Sequence, residues 1–163
     1  MKSDQLKKEI SNTNVLLIGD VMLDKYVFGK ITRISPEAPV PVFLSEHHKH
    51  VLGGAGNVFN NFFALGVKST FITIIGKDEA GKEIKKLMKK NSLENICIYE
   101  DAKKITTKKT RYLSNNQQII RVDHEDKMLL SKNAENFIIS NFKKKISSCN
   151  VVVISDYDKG VIT

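Results

Sequence analysis

The chain has 163 residues, with 26 Lys and Arg against 18 Asp and Glu, a formal charge of +8 and 41% apolar residues. Charged residues make up 27% and the mean hydropathy is -0.23, ordinary globular values that exclude a disordered, collagenous or coiled-coil chain. The length allows one compact domain or part of a larger one. No run approaches ~18 consecutive apolar residues, so no membrane-spanning helix is expected, and residues 1–14 lack the apolar core of a secretory signal.

Of the 26 positive residues, 23 are Lys, and the arginines are Arg33, Arg111 and Arg121. Nucleic-acid readers lean on Arg for bidentate contacts. The Lys runs here (Lys85-Lys86, Lys89-Lys90, Lys143-Lys144-Lys145) read as solvated helix faces, so no nucleic acid is expected as a partner. An anionic small-molecule substrate would also welcome the positive field. Cys97 and Cys149 belong to no CxxC pair and read as reduced structural thiols of a cytoplasmic protein; no Asn-x-Ser/Thr sequon is present.

Residues 1–14 are polar and helix-leaning. Val15-Leu16-Leu17-Ile18, ending in Gly19-Asp20, reads as a strand buried on both faces. Residues 26–46 hold all three prolines, Pro36, Pro39 and Pro41, between β-prone pieces. Proline confines such pieces to edges or loops, so the segment reads as a flap and not a central layer. Gly53-Gly54-Ala55-Gly56-Asn57 opens an apolar helix that ends at Gly66. Thr70 to Ile75 is a second buried strand, a helix covers about 79–91, and Ile96-Cys97-Ile98 is a third strand. Lys108–Leu113 and Gln118–Asp123 form a hairpin about Ser114-Asn115-Asn116, whose side chains tolerate left-handed geometry. A helix over 132–146 buries Phe137, Ile138, Phe142 and Ile146, and Val151–Ile154 is a fourth buried strand. The alternation predicts an α/β fold, a parallel sheet with helices on both faces. The outlying segments 26–46 and 108–123 are expected to pair as a small separate sheet that covers something.

Ligands bind at the carboxyl ends of the strands in an open parallel sheet. Those ends carry Asp20 and Asp24 after the first strand, Lys77 and Asp78 after the second, and Asp156, Asp158, Lys159 and Gly160 after the last. The glycine run has two readings. It lays backbone open to a ligand, with helix-start N–H groups for a hydroxyl or phosphate, or it is a tight turn with close helix packing. It is neither a dinucleotide Gly-x-Gly-x-x-Gly nor a Walker A loop. Asp24 is either an acceptor for two sugar hydroxyls or a turn aspartate, and a structural, turn-fixing role is open to Asp20. His47, His48 and His50 have no companion at zinc-like spacing and read as a solvated loop, so no metal site is expected. No Gly-x-Ser-x-Gly elbow supports a Ser-His-Asp triad.

Five blocks occur in a telling order: Gly19-Asp20-Val21-Met22-Leu23-Asp24, the run Arg33-Ile34-Ser35-Pro36-Glu37-Ala38-Pro39-Val40-Pro41-Val42, Gly53 to Val58, Asn116 to Asp123, and Ser155 to Gly160. Together they resemble the kinase domain of the bifunctional heptose 7-phosphate kinase / heptose 1-phosphate adenylyltransferases, within the ribokinase-like PfkB carbohydrate kinases. The resemblance runs from about Val15 to Thr163, and the Arg33–Val42 block is its most specific part. It implies ATP- and Mg²⁺-dependent phosphorylation of D-glycero-D-manno-heptose 7-phosphate at the anomeric hydroxyl, on the way to ADP-heptose and the lipopolysaccharide core. It also implies that the two outlying β segments form a lid over the sugar, shared in a homodimer.

By the same resemblance Asp24 grips sugar hydroxyls, and Gly53, Gly54 and Asn57 contact the sugar. Arg33, Gln118 and Arg121 face the sugar phosphate or close the lid, with a guanidinium matched to phosphate oxygens. Asp156 and Lys159 sit at the sheet's carboxyl edge near the phosphate. Asp158 stands where the family's Ser-Asp-Tyr-x-Lys-Gly motif usually has a small residue. The family's Gly-Ala-Gly-Asp motif, with its anion hole and catalytic base, is expected beyond Thr163, as is most of the nucleotide site. The chain therefore reads as the N-terminal part of one kinase domain, with an open sheet edge, no catalytic base and no activity by itself. Two other readings are another PfkB sugar kinase and a truncated non-catalytic remnant.

Overall fold

The structure is a computed structural model that describes residues 9–91, 95–126 and 130–162. The apolar runs form β1 (Asn14–Gly19), β4 (Lys68–Gly76), β5 (Ile96–Asp101) and β8 (Val151–Ser155), all parallel, in the order β5-β4-β1-β8. Successive residues of a strand face opposite ways, so both faces need a cover. Leu17, Phe71 and Ile75 pack with Phe59 of α1 (Ala55–Ala64) and with Ile84 and Met88 of α2 (Glu79–Lys90). On the other face Leu16, Ile18, Ile72 and Ile74 pack around Ala134 of α3 (Lys132–Lys145), flanked by Phe137, Ile138 and Phe142. Burial on two faces is why these runs are continuously apolar. Each fully buried Phe, Leu or Ile contributes about 1.5–3 kcal/mol over an exposed one. Thr73 interrupts the run but is fully buried and donates its hydroxyl to the Gly19 carbonyl at 2.8 Å. The lysines of α2 are largely solvated and paired locally, Lys82 with Glu79 and Lys86 with Glu83.

The remaining strands, β2 (Val21–Ile34), β3 (Pro41–Gly54), β6 (Lys108–Ser114) and β7 (Gln117–His124), form the separate lid sheet, in the order β3-β2-β6-β7. β3 and β7 run antiparallel to their neighbours, and β6 runs parallel to β2. Asn115 and Asn116, at φ 50° and 63°, make the two-residue turn of the β6–β7 hairpin.

Several expectations need correction. The flap is wider than 26–46, and β2 lies inside its sheet with a partner on each side. Pro36 and Pro39 fall in the tip and Pro41 opens β3, which leaves Val21–Ile34 free to pair on both edges. Asp24 is therefore a strand residue, not a turn aspartate, and His47, His48 and His50 lie in β3, not in a loop. His47 stacks on Phe28 and His50 meets Glu83 of α2 at 3.3 Å. β8 reads as buried from its sequence, yet Ile154 is 62% exposed; among the described residues β8 has β1 as its one strand partner. Ile146 is exposed, in a 3₁₀ turn beyond α3. Of the helix-leaning first 14 residues, 1–8 lie outside the described residues.

Gly54 and Gly66 separate two effects of a positive φ. Gly54 (φ 56°, ψ -134°) starts α1, and a Cβ there would lie 2.4 Å from the Asp20 carbonyl oxygen. Gly66 (φ 73°) has nothing within 4 Å of its would-be Cβ. Gly66→Ala should cost only the backbone strain, about 1–2 kcal/mol, or a few degrees in Tm. Gly54→Ala adds overlap with backbone and should lower Tm at least about twice as far. Equal shifts in a thermal melt would contradict this placement of the α1 start.

Candidate functional site

The carboxyl edge of the parallel sheet is organised by Asp20, which is 1% exposed. Its Oδ2 accepts from the N–H groups of Tyr157 at 2.9 Å and Lys159 at 3.2 Å, and its Oδ1 from Val161 at 3.0 Å. Its own N–H donates to Ser155 O, and its carbonyl accepts from Ala55 N, the first residue of α1. One residue thus joins the end of β1, the loop after β8 and the glycine-led start of α1. Of the roles open to Asp20, the structure shows the structural one. In that loop Asp158 (φ 56°) and Gly160 (φ 90°) are left-handed on either side of Lys159.

Four residues further on, Asp24 sits at the base of the lid. Its Oδ1 accepts from Arg111 Nη1 at 2.6 Å, and a Cβ on Gly53 would lie 2.5 Å from its Oδ2. The missing side chain of Gly53 is what makes room for the carboxylate. Arg111 lies over the Tyr26 ring at 5.2 Å, and its cross-strand partner is Arg121. Residues directly opposite in an antiparallel pair share a face, so both guanidinium-bearing residues project from the face that carries Asp24. Burial works against the Arg111 charge, but the Asp24 hydrogen bond and charge outweigh it and hold the guanidinium above its ordinary value.

The glycine run, Asp24 and Lys159 are therefore brought together through Asp20 and Gly53. Asn57 is exposed in the first turn of α1, which no side chain caps. Lys159 is buried, and its ammonium reaches Glu125 Oε1 at 3.2 Å, just past β7. Asp156 is exposed and accepts from Asp158 N at 2.8 Å, which shapes its own loop. Arg33 and Gln118 are not brought into this group. Arg33 is exposed near the outer end of β2, nine residues or about 30 Å of strand beyond Asp24. Gln118 is exposed beside the hairpin turn.

Two residues of the site had no reading from sequence. Arg111 had one available signal, an arginine inside a predicted strand, which requires a partner when half-buried. Lys104 had none: it lies in the 102–107 connection between β5 and β6, and its ammonium donates to the Lys159 carbonyl at 2.5 Å.

The sequence profile of the pfkB family carbohydrate kinases matches residues 12–160. The chain belongs to that family. It is 42% identical over 159 residues to the bifunctional protein HldE of Caulobacter sp. (strain K31), a match that spans 98% of this chain and 32% of the relative. It is 45% identical over 151 residues to HldE of Sulfurimonas denitrificans, spanning 91% of this chain and 31% of the relative. The chain thus spans about a third of the length of these curated relatives. Among solved structures it resembles a putative phosphofructokinase from Staphylococcus aureus, with TM-score 0.71, 14% identity and coverage of 92% of this chain and 45% of that one. It also resembles the phosphofructokinase-2 from Escherichia coli in complex with fructose-6-phosphate, with TM-score 0.63, 18% identity and coverage of 88% and 45%. These likenesses show the ribokinase-like fold. The family is one of carbohydrate kinases. No described helix is long and apolar enough to cross a membrane.

Burial holds the Lys104 ammonium of this pfkB chain below the ordinary lysine value, outweighing the pull of Asp20, Asp101 and Asp126. The folded state then releases a proton that the unfolded chain keeps up to the ordinary lysine range. Between the lowered value and that range, stability must rise with pH, and below it the cost of burying the charge is fully present. Lys104→Met removes this contribution, so the stability of the native chain minus that of the variant should grow between pH 7 and pH 10. Urea melts of both at each pH measure it, and a difference independent of pH would refute the assignment.

Proposed function

We propose that this pfkB chain binds D-glycero-D-manno-heptose 7-phosphate and forms the sugar side of an ATP-dependent kinase acting on the anomeric hydroxyl, in the cytoplasmic route to ADP-heptose and the lipopolysaccharide core. The observation that carries the proposal is Asp24 held between Gly53 and Arg111, with Arg121 on the same lid face. A carboxylate set against a glycine-led helix start suits a polyol, and two guanidiniums on one face suit a phosphomonoester. Identity of 42–45% to the HldE relatives along nearly the whole chain supports this sugar over others.

In this reading Asp24 accepts two sugar hydroxyls and is aimed by Arg111. The backbones of Gly53 and Gly54, and Asn57 in the first turn of α1, line the wall beside it. Arg121 with Arg111 meets the phosphate. Lys159 and Asp156 form the floor at the sheet's carboxyl edge, and Arg33 and Gln118 belong to the outer lid. ATP with Mg²⁺ supplies the phosphoryl group. Among the described residues no group of three or more His, Cys, Asp or Glu stands ready to hold a metal.

The lid's other face supports a homodimer through the lid. There Ile31, Pro41, Phe43, Tyr112, Ile119 and Ile120 line an apolar groove of about 360 Å³, with Ile120 55% and Val122 49% exposed. A second copy would cover it. Sedimentation should show a dimer that Ile120→Lys converts to monomer, and a native monomer at tens of micromolar would count against it.

Titration calorimetry tests the substrate. Heptose 7-phosphate should bind more tightly than fructose 6-phosphate or ribose. Asp24→Asn and Arg121→Gln should each weaken it about 10- to 100-fold, the loss of a charge-assisted hydrogen bond. Tighter binding of fructose 6-phosphate would indicate another sugar kinase of the family, and no binding of any sugar would indicate a non-catalytic remnant.

A further inference from the structure

The loop that presents Lys159 is held from two sides. From below, Asp20 takes the N–H groups of residues 157, 159 and 161. From the side, Lys104 Nζ donates to the Lys159 carbonyl. Both backbone polar groups of Lys159 are therefore committed within the protein, between two left-handed residues, Asp158 and Gly160. A non-glycine residue at positive φ costs on the order of 1 kcal/mol and persists where its surroundings over-determine it.

The platform that carries Lys104 is itself rigid. Asp101 accepts from Lys103 N with Oδ1 and from Ser131 N, at the head of α3, with Oδ2. Thr106 N donates to Asp78 Oδ2 at 2.8 Å, and Gly76 N donates to Thr106 Oγ1 at 2.7 Å. The Lys104 carbonyl lies so close to Gly76 that a Cβ there would overlap it. The 102–107 connection is thus pinned to the ends of β4, β5 and α2 before it enters the lid as β6, and Leu23 N of β2 donates to Thr107 O at 2.9 Å. A bare hydrophobic spacer would fill the place of the Lys104 stem equally well. What packing does not explain is a half-buried ammonium spent on a backbone carbonyl, when burying that charge is unfavourable. Among the described residues that carbonyl is its one hydrogen-bond partner.

We infer that Lys104 is a positioning residue for substrate binding: by tying the Lys159 carbonyl to the β5–β6 connection, it sets the Lys159 ammonium at the floor of the pocket and couples that floor to the base of the lid. This rests on the reading of the pocket as a sugar-phosphate site.

The test compares Lys104→Met, Lys104→Arg, Lys159→Met and the double variant Lys104→Met/Lys159→Met. Heptose 7-phosphate affinity is read by calorimetry and loop order by amide hydrogen exchange at residues 157–161. Lys104→Met should weaken binding roughly tenfold, the worth of about one charge-assisted hydrogen bond. The double variant should bind no more weakly than Lys159→Met alone, because both changes remove the same contact. Lys104→Arg, which keeps a cationic donor, should restore most of the affinity. Exchange at Lys159 N–H should speed up in Lys104→Met. Native affinity in Lys104→Met, or losses that add in the double variant, would overturn the inference. Should Lys104→Met fail to fold, Lys104→Ala, which also removes the donor, is judged by the same two outcomes. If the native chain binds no heptose 7-phosphate, the substrate reading falls. Exchange at 157–161 then still decides the tie, and rates unchanged in Lys104→Met would refute it.

Discussion

A carboxylate taken out of water costs several kcal/mol unless hydrogen bonds replace its hydration. Asp20 receives three backbone N–H groups from alternate residues of a single loop, and those groups would themselves be costly to bury unpaired. The two demands satisfy each other. An asparagine could not do the same, because its amide would turn an N–H toward a loop N–H. The main-chain groups of Asp20 reach Ser155 and Ala55, so the register of β8 against β1 and the start of α1 are fixed by the same residue. Everything that faces the candidate pocket from the parallel sheet hangs from this point.

The lid depends on it at one remove. Gly54 follows from Asp20, since only glycine fits against the Asp20 carbonyl at that φ. The absent side chain of Gly53 leaves the room that the Asp24 carboxylate takes. The result is a sheet with chemically different faces. One face carries Asp24, Tyr26, Arg111 and Arg121, and the other buries Leu23 and Leu52 at its root and leaves Tyr112 and Ile120 further out. A strand sorts its residues this way with period two, so a polar pocket and an apolar contact surface are built by one set of strands.

Much of this was legible in the sequence, for physical reasons that can be named. Strands buried on both faces must be apolar throughout, so β1 and β4 announce themselves. The hairpin turn at Asn115-Asn116 is visible because few residues tolerate φ > 0. Other features were hidden. A two-residue turn with regular pairing places Arg111 opposite Ile120. A bulge at Tyr112/Leu113 shifts the register by one and brings Arg111 opposite Arg121 instead. A one-residue slip moves every side chain of a strand to the other face, and no local preference marks where it occurs. The prolines also misled: they govern the positions they occupy, at the tip and the first residue of β3, and leave the proline-free length of β2 unrestricted. Lys104 left no trace because its role depends on a contact 55 residues away along the chain.

The polar groups of the proposed sugar site are paired with one another. Arg111 holds Asp24, Glu125 holds Lys159, and Asp20 with Lys104 holds the loop between them. On the sugar-phosphate reading proposed above, such an arrangement would lose little conformational entropy on binding, since these side chains are already held. On that reading each guanidinium or ammonium would have to share its acid with an incoming anion. Sharing is easiest for Arg111, whose fork of five N–H groups commits one nitrogen to Asp24 and leaves others to turn outward. It is hardest for Lys159, which is buried and has both backbone groups committed. The geometry therefore assigns orientation to the sheet edge, where nothing can shift without breaking the Asp20 network, and leaves adjustment to the lid, where Arg121 is about half exposed and paired with Asp123 of its own strand.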